Sequence, residues 1–175
     1  MIPLFLGLTA VNLLSLTAVF VVGLALNDAG GEAASLYTMH VMLGILAGLA
    51  CALTHVAVFT YFMATTKWLG AATVKASLDE SSFVADSLRR KGRAFVLAMV
   101  AIVATTVTMI GGAGADKAVS PLWTPQLHLL AGALTIALNF LCAIGEYKLI
   151  AVQGRQMDEA AAILCRQLDV QTKRA

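Results

Sequence analysis

Charge is scarce in this chain. Asp, Glu, Lys and Arg make up 13% of its 175 residues, where a soluble domain carries about 25%. None of the four occurs between Glu32 and Lys67, and none between Lys117 and Glu146. Together with 59% apolar residues and a mean hydropathy of +0.84, this excludes a soluble domain and points to an integral membrane protein. Cysteine is sparse too. Cys51, Cys142 and Cys165 form no CxxC motif, so no disulfide framework or cysteine metal site is implied. Cys51 and Cys142 read as small packing residues within the membrane, and Cys165 as cytoplasmic. There is no HExxH, no P-loop and no Rossmann fingerprint. Internal repeats and low-complexity segments are also absent. Catalysis by this chain alone is therefore not expected.

What the chain has instead is four long uncharged or nearly uncharged stretches: 1–27, 33–66, 94–115 and 118–145. Each meets the roughly 20 residues needed to cross the hydrocarbon core. The first lacks a basic n-region and is too long for a signal-peptide core, so it reads as a retained helix. The predicted helices run over about 3–26, 35–66, 93–113 and 125–150. Short connections make consecutive helices antiparallel. The expected fold is all-α, an integral membrane up-down-up-down four-helix bundle over residues 1–150, with cytoplasmic amphipathic extensions: the loop 67–92 and a tail over 151–175.

Eleven of the twelve Lys and Arg residues lie either between Lys67 and Arg93 or after Glu146. By the positive-inside rule this places both termini and the loop 67–92 in the cytoplasm, as in a bacterial inner membrane. The turns around Gly30 and Pro121 then face outward, and Trp68 and Trp123 suit the two interfaces. Within the loop, a short amphipathic helix is expected from Asp79 to Lys91, capped by Ser77 or Asp79 and ended by Gly92. In the tail, Leu149, Val152, Met157, Ala160, Ile163, Leu164 and Leu168 form an apolar face that needs something to pack on, with Gly154 a point of interruption. The partners implied are the lipid bilayer and other membrane subunits, in a homo- or hetero-oligomer, with no nucleic acid.

The polar residues that remain within the stretches are arranged in stripes. On the second helix, His40, Gly44, Gly48, Cys51 and His55 share one side. On the fourth, His128, Gly132, Thr135, Asn139, Cys142 and Glu146 form a heptad-like seam that must face the interior. The first helix adds Thr9, Asn12, Ser15 and Thr17, and the third adds Thr105, Thr106 and Thr108. Ionisable groups at membrane depth are rare and point to function by default. The glycines fit close helix packing through GxxxG. They equally fit a porphyrin site, where a flat macrocycle needs room and an imidazole holds its iron. His40 and His128 should lie at similar depth near the outer face, so both can ligate the iron of one haem b, with Gly44, Gly48 and Gly132 beside it. His55 lies about four turns deeper, level with Ala143, so Cys142 and Glu146 are its nearest polar candidates; a His55–Glu146 pair can hold or shuttle a proton, with Asn139 on the same seam. Met99 on the third helix lies at a depth to be the sixth ligand of a second haem, or is core filler.

Two histidines on one membrane helix with small residues between them resemble the multi-haem b-type membrane cytochromes, including quinol-linked anchor subunits of four or five helices. The resemblance covers the second helix and the start of the fourth. It implies haem b held by paired histidines and a place in an electron-transfer complex. A second haem would need a histidine near Ala143, and none is there, so at most one bis-histidine haem is expected. The functional expectation is a small membrane subunit of a larger, electron-transferring complex, with one haem b. The alternatives are a haem-free accessory subunit and a proton- or solute-conducting bundle using His55 and Glu146.

Overall fold

The computed structural model describes residues 1–28, 34–75, 80–115 and 123–173, with the side chains of 27, 80–82, 168, 171 and 172 left aside. The expected turns around Gly30 and Pro121, the caps Ser77 and Asp79, and the Leu168 side chain lie outside what is described. Four helices account for nearly everything else: α1 (Ile2–Asp28), α2 (Ala34–Lys75), α3 (Glu80–Gly114) and α4 (Pro125–Thr172). All four are long and apolar enough to cross a membrane, and the chain is a multi-pass four-helix bundle. Among the described residues there is no strand.

The start of α4 illustrates how sequence sets a boundary. Thr124 Oγ1 accepts a hydrogen bond from the Leu127 amide at 3.2 Å, an N-cap on one of the free donors of the first turn. Pro125 follows as the first helical residue, where its missing N–H costs nothing.

Three of the helices run longer than the sequence suggests. At 1.5 Å per residue, the 42 residues of α2 and 48 of α4 extend roughly 63 and 72 Å, about twice the hydrocarbon thickness. The basic segment expected as a loop over 67–92 belongs almost entirely to α2 and α3. Gly92 does not end a helix, since α3 runs through it without a break, and Gly154 does not interrupt α4. A helix-interior glycine costs about 1 kcal/mol against alanine. The packing of flanking Ser87, Ala94 and Ala160, all fully buried, outweighs that penalty. The tail is thus a continuation of α4, and its apolar face is covered in part by α2 and α3.

α1 and α2, α2 and α3, and α3 and α4 pack side by side, and α1 closes against α4. α2 and α4 also touch across the middle, whereas α1 and α3 do not. The near diagonal of the bundle is therefore α2 to α4. These two helices run parallel in a fixed register. The bonds Cys51–Asn139 and Thr65–Gln153 both join residues 88 apart, and His128 stands at the same offset from His40.

Outward-facing residues such as Leu14, Leu49, Leu53 and Leu141 are strongly exposed to the surroundings, as lipid contact requires. Below the bundle's midpoint the interior is filled by Phe5, Val58, Phe62, Ala94, Ala143 and Ile150. Beyond this layer the projecting parts of α2, α3 and α4 are joined by side-chain hydrogen bonds. Gln153 donates to Thr65 Oγ1 (3.1 Å) and Ser87 Oγ (2.8 Å), and it accepts from Arg90 Nε (2.8 Å). Thr66 and Ser87 share a further bond of 2.6 Å.

Truncating Phe62, 0% exposed, should be far more damaging than truncating Leu53 on the same helix, 60% exposed. Phe62→Ala is expected to cost about 3–5 kcal/mol and Leu53→Ala less than about 0.5 kcal/mol. Unfolding of the two variants in detergent, followed by circular dichroism, measures the difference.

Candidate functional site

The polar seam of α4 meets partners from the other three helices at two levels. The upper level holds His40 and His128. Their ring centroids are 6.1 Å apart with planes at 88°, an edge-to-face contact across the near diagonal. His40 Nδ1 donates to the Val19 carbonyl of α1 at 3.1 Å. That bond fixes the tautomer and leaves Nε2 as the lone-pair nitrogen. His128 Nδ1 is buried and has no hydrogen-bond partner among the described residues.

Each ring lies against a glycine of a neighbouring helix. A Cβ on Gly23 of α1 would meet His40 Cε1 at 2.9 Å, and a Cβ on Gly112 of α3 would meet His128 Cε1 at 2.9 Å. Neither glycine can be replaced without moving its histidine. These two residues were not singled out in the sequence, because they lie on helices that carry no histidine and are recognisable only once the bundle is assembled.

The glycines that were singled out have other neighbours. A Cβ on Gly44 would stand 3.8 Å from Val19 and one on Gly132 3.2 Å from Phe20, so α1 approaches both. Gly48 is covered by the Met109 thioether of α3, 2.6 Å from where a Cβ would stand. It lines a groove of about 320 Å³ between α2 and α3 together with Cys51, Thr105 and Met109. The α2 stripe is thus divided among three neighbours: α1 at Gly44, α3 at Gly48, and α4 at His40. Met99 is 41% exposed on the outer surface of α3 and does not approach either histidine level as an interior residue would.

The lower level is built on Asn139. Its Oδ1 accepts from Asn12 Nδ2 of α1 (3.0 Å), from Cys51 Sγ (3.4 Å) and from His55 Nε2 of α2 (3.4 Å). Its Nδ2 donates to Thr105 Oγ1 of α3 (3.2 Å) and to the Thr135 carbonyl one turn away (3.0 Å). His55 Nδ1 is 2.8 Å from Glu146 Oε1, and both side chains are buried. Both nitrogens of His55 thus face acceptors, which is the pattern of an imidazolium beside a carboxylate. Glu146 Oε2 and Asn12 Oδ1 are buried without partners among the described residues. One turn above, Thr108 and Thr135 share a bond of 2.7 Å. Cys142 is buried beside this level, and Cys165 is exposed.

Among the described residues no group of three or more His, Cys, Asp or Glu side chains could hold a metal ion. What the arrangement offers is an imidazole pair at one level and a buried, hydrogen-bonded imidazole–carboxyl pair at the other.

A buried pair that loses one member leaves the other charge uncompensated. His55→Leu or Glu146→Leu alone should each cost about 3–5 kcal/mol, whereas the double replacement should cost less than either single change. A double-mutant cycle on unfolding in detergent gives these values. No protein-family profile matches the chain, and no curated protein and no solved structure matches it at a significant level.

Proposed function

We propose that this multi-pass membrane protein is a subunit of an electron-transfer complex and binds one haem b between α2 and α4, which His40 and His128 would hold. The carrying observation is that two histidines 88 residues apart are brought to a ring separation of 6.1 Å across the bundle's diagonal. Imidazoles brought this close from two helices are the residues that would hold the iron of one porphyrin.

Three further features fit the same reading. The bond from His40 Nδ1 to the Val19 carbonyl orients the ring as metal-bound histidines are commonly oriented, through the other nitrogen. The orphan nitrogen of His128 is costly at this depth and would gain a partner. Gly23 and Gly112 make space for both rings against backbone. Two protein donors are too few for a bare ion, which takes three or four protein ligands in zinc sites. They suffice where a porphyrin supplies the other four nitrogens.

Bound haem supplies one-electron carrier chemistry. The protein's part is to hold and orient both ligands and to exclude water with the apolar side chains around them. Val19 and Phe20, beside Gly44 and Gly132, are the side chains that must yield to a macrocycle. The distribution of basic residues supports a bacterial inner membrane and cytoplasmic termini. The projecting parts of α2, α3 and α4 offer partner subunits a surface at that end.

A reduced-minus-oxidised optical spectrum of the protein purified from its native membrane, with pyridine haemochrome quantitation, tests this directly. One haem b per chain is expected, lost in His40→Ala and in His128→Ala. Gly23→Val and Gly112→Val should lower occupancy or shift the Soret band, because each displaces a ligand ring. A colourless wild-type protein, folded and supplied with haem, would leave a haem-free accessory subunit as the surviving reading.

A further inference from the structure

We infer that the His55–Glu146 pair is a proton-exchange site reached from one end of the bundle only, the end that carries His40 and His128. The inference does not depend on haem binding. It rests on what surrounds the pair and on the difference between the two directions leading away from it.

The pair is isolated from other charge. From α1 it is faced through Asn139 by Asn12, which does not titrate. From α2 the nearby titratable group is Cys51, and from α4 it is Cys142. From α3 the nearest polar group is Thr105, on Asn139. Among the described residues nothing else charged lies at this level. Glu146 Oε1 is taken by His55, but Oε2 is buried with no donor. That oxygen is the position at which a proton can be added without breaking an existing bond. A hydronium ion gives its proton to Oε2 and leaves as water, the carboxylate becomes a carboxylic acid, and the pair passes from neutral overall to a single positive charge on His55.

Towards the His40 and His128 end, polar groups follow one another. Asn139, Thr105 and Cys51 form one cluster. Thr135 and Thr108 form the next, and Thr108 also donates to the Ala131 carbonyl at 3.4 Å. Above Thr135 the seam passes Gly132, against which Phe20 packs, and reaches His128 one turn further on. Asn12 Oδ1 and Thr9 Oγ1 add two buried groups without partners near the lower part of this route. Unsatisfied buried oxygens of this kind are where ordered water is expected.

Towards the other end the route stops. The next residue on the α4 seam is Ile150, level with Phe5, Val58 and Phe62, all at 1% exposure or less. Among the described residues, the fully buried side chains of this layer carry no hydroxyl, amide or charge; Tyr61 packs against it from the side, with its hydroxyl directed at Met157. Beyond it, Gln153 is already engaged with Thr65, Ser87 and Arg90. An apolar layer of this bulk excludes the water that proton transfer needs. The bundle is therefore a one-sided proton well and not a conductor.

Two measurements on the full chain test this. In the first, infrared difference spectra are recorded over a pH titration. A carboxylic C=O band that titrates in wild type and is lost in Glu146→Gln is expected. Its absence at every pH overturns the proposal. In the second, proton flux is followed in liposomes with a trapped pH dye. Wild type should show only the leak of protein-free vesicles. Val58→Thr combined with Ile150→Thr places hydroxyls in the apolar layer and should raise flux above that leak. Adding Glu146→Gln should abolish the increase. Ile150→Ala is the second opening variant, should the first fail to fold. Flux through wild type, or an increase that survives Glu146→Gln, overturns one-sided access through this pair. A failed haem assay would leave both measurements intact.

Discussion

All four helices meet at one side-chain amide. Asn139 accepts from α1 and from two positions on α2, and it donates to α3 and to its own helix. In hydrocarbon there is no water to replace any of these partners. A helix that slid by one turn or rotated on its axis would leave a buried polar group unsatisfied. Apolar packing alone specifies such a register weakly, because lipid tails are as apolar as the side chains they contact. The Asn139 cluster thus sets depth and azimuth for the entire bundle, and the levels above and below inherit its register. The α2–α4 offset of 88 residues at this level recurs at Thr65–Gln153 and at His40–His128.

The same register separates two kinds of chemistry. At the upper level stand two imidazole rings backed by glycine, one with its tautomer fixed by a carbonyl. At the lower level stands a buried imidazole–carboxyl pair, with the Asn139 amide on the imidazole's other nitrogen. The layer formed by Phe5, Val58, Phe62 and Ile150 isolates both from the projecting, basic end. At that end the polar cluster around Gln153 and Arg90 holds three helices together where the bilayer no longer does.

Function in such a bundle depends on residues with no chemistry of their own. Gly23 and Gly112 hold nothing and donate nothing, yet each decides where a histidine ring lies. Ile150 and Phe62 carry no charge, yet they fill the layer between Glu146 and the projecting, basic end.

The sequence by itself determined the four spans, because hydropathy over about 20 residues is a property of each segment alone. It also determined that the seam from His128 to Glu146 faces inward, since helical periodicity assigns faces and lipid tolerates no such row of polar groups. Only the tertiary structure decided what the seam meets. That His40 and His128 lie across the diagonal, that their rings rest on Gly23 and Gly112, and that Gly48 belongs to a contact with Met109 all depend on relative rotation and depth between helices. Periodicity within one helix does not encode these. The continuity of α3 through Gly92 was likewise settled by contacts. A glycine among basic residues reads locally as a stop, and it is overridden where the same helix packs Ser87 and Ala94 against its neighbours. The bonding of Arg90 to Gln153 left no signal in either segment, because each residue alone looks like a solvated surface group.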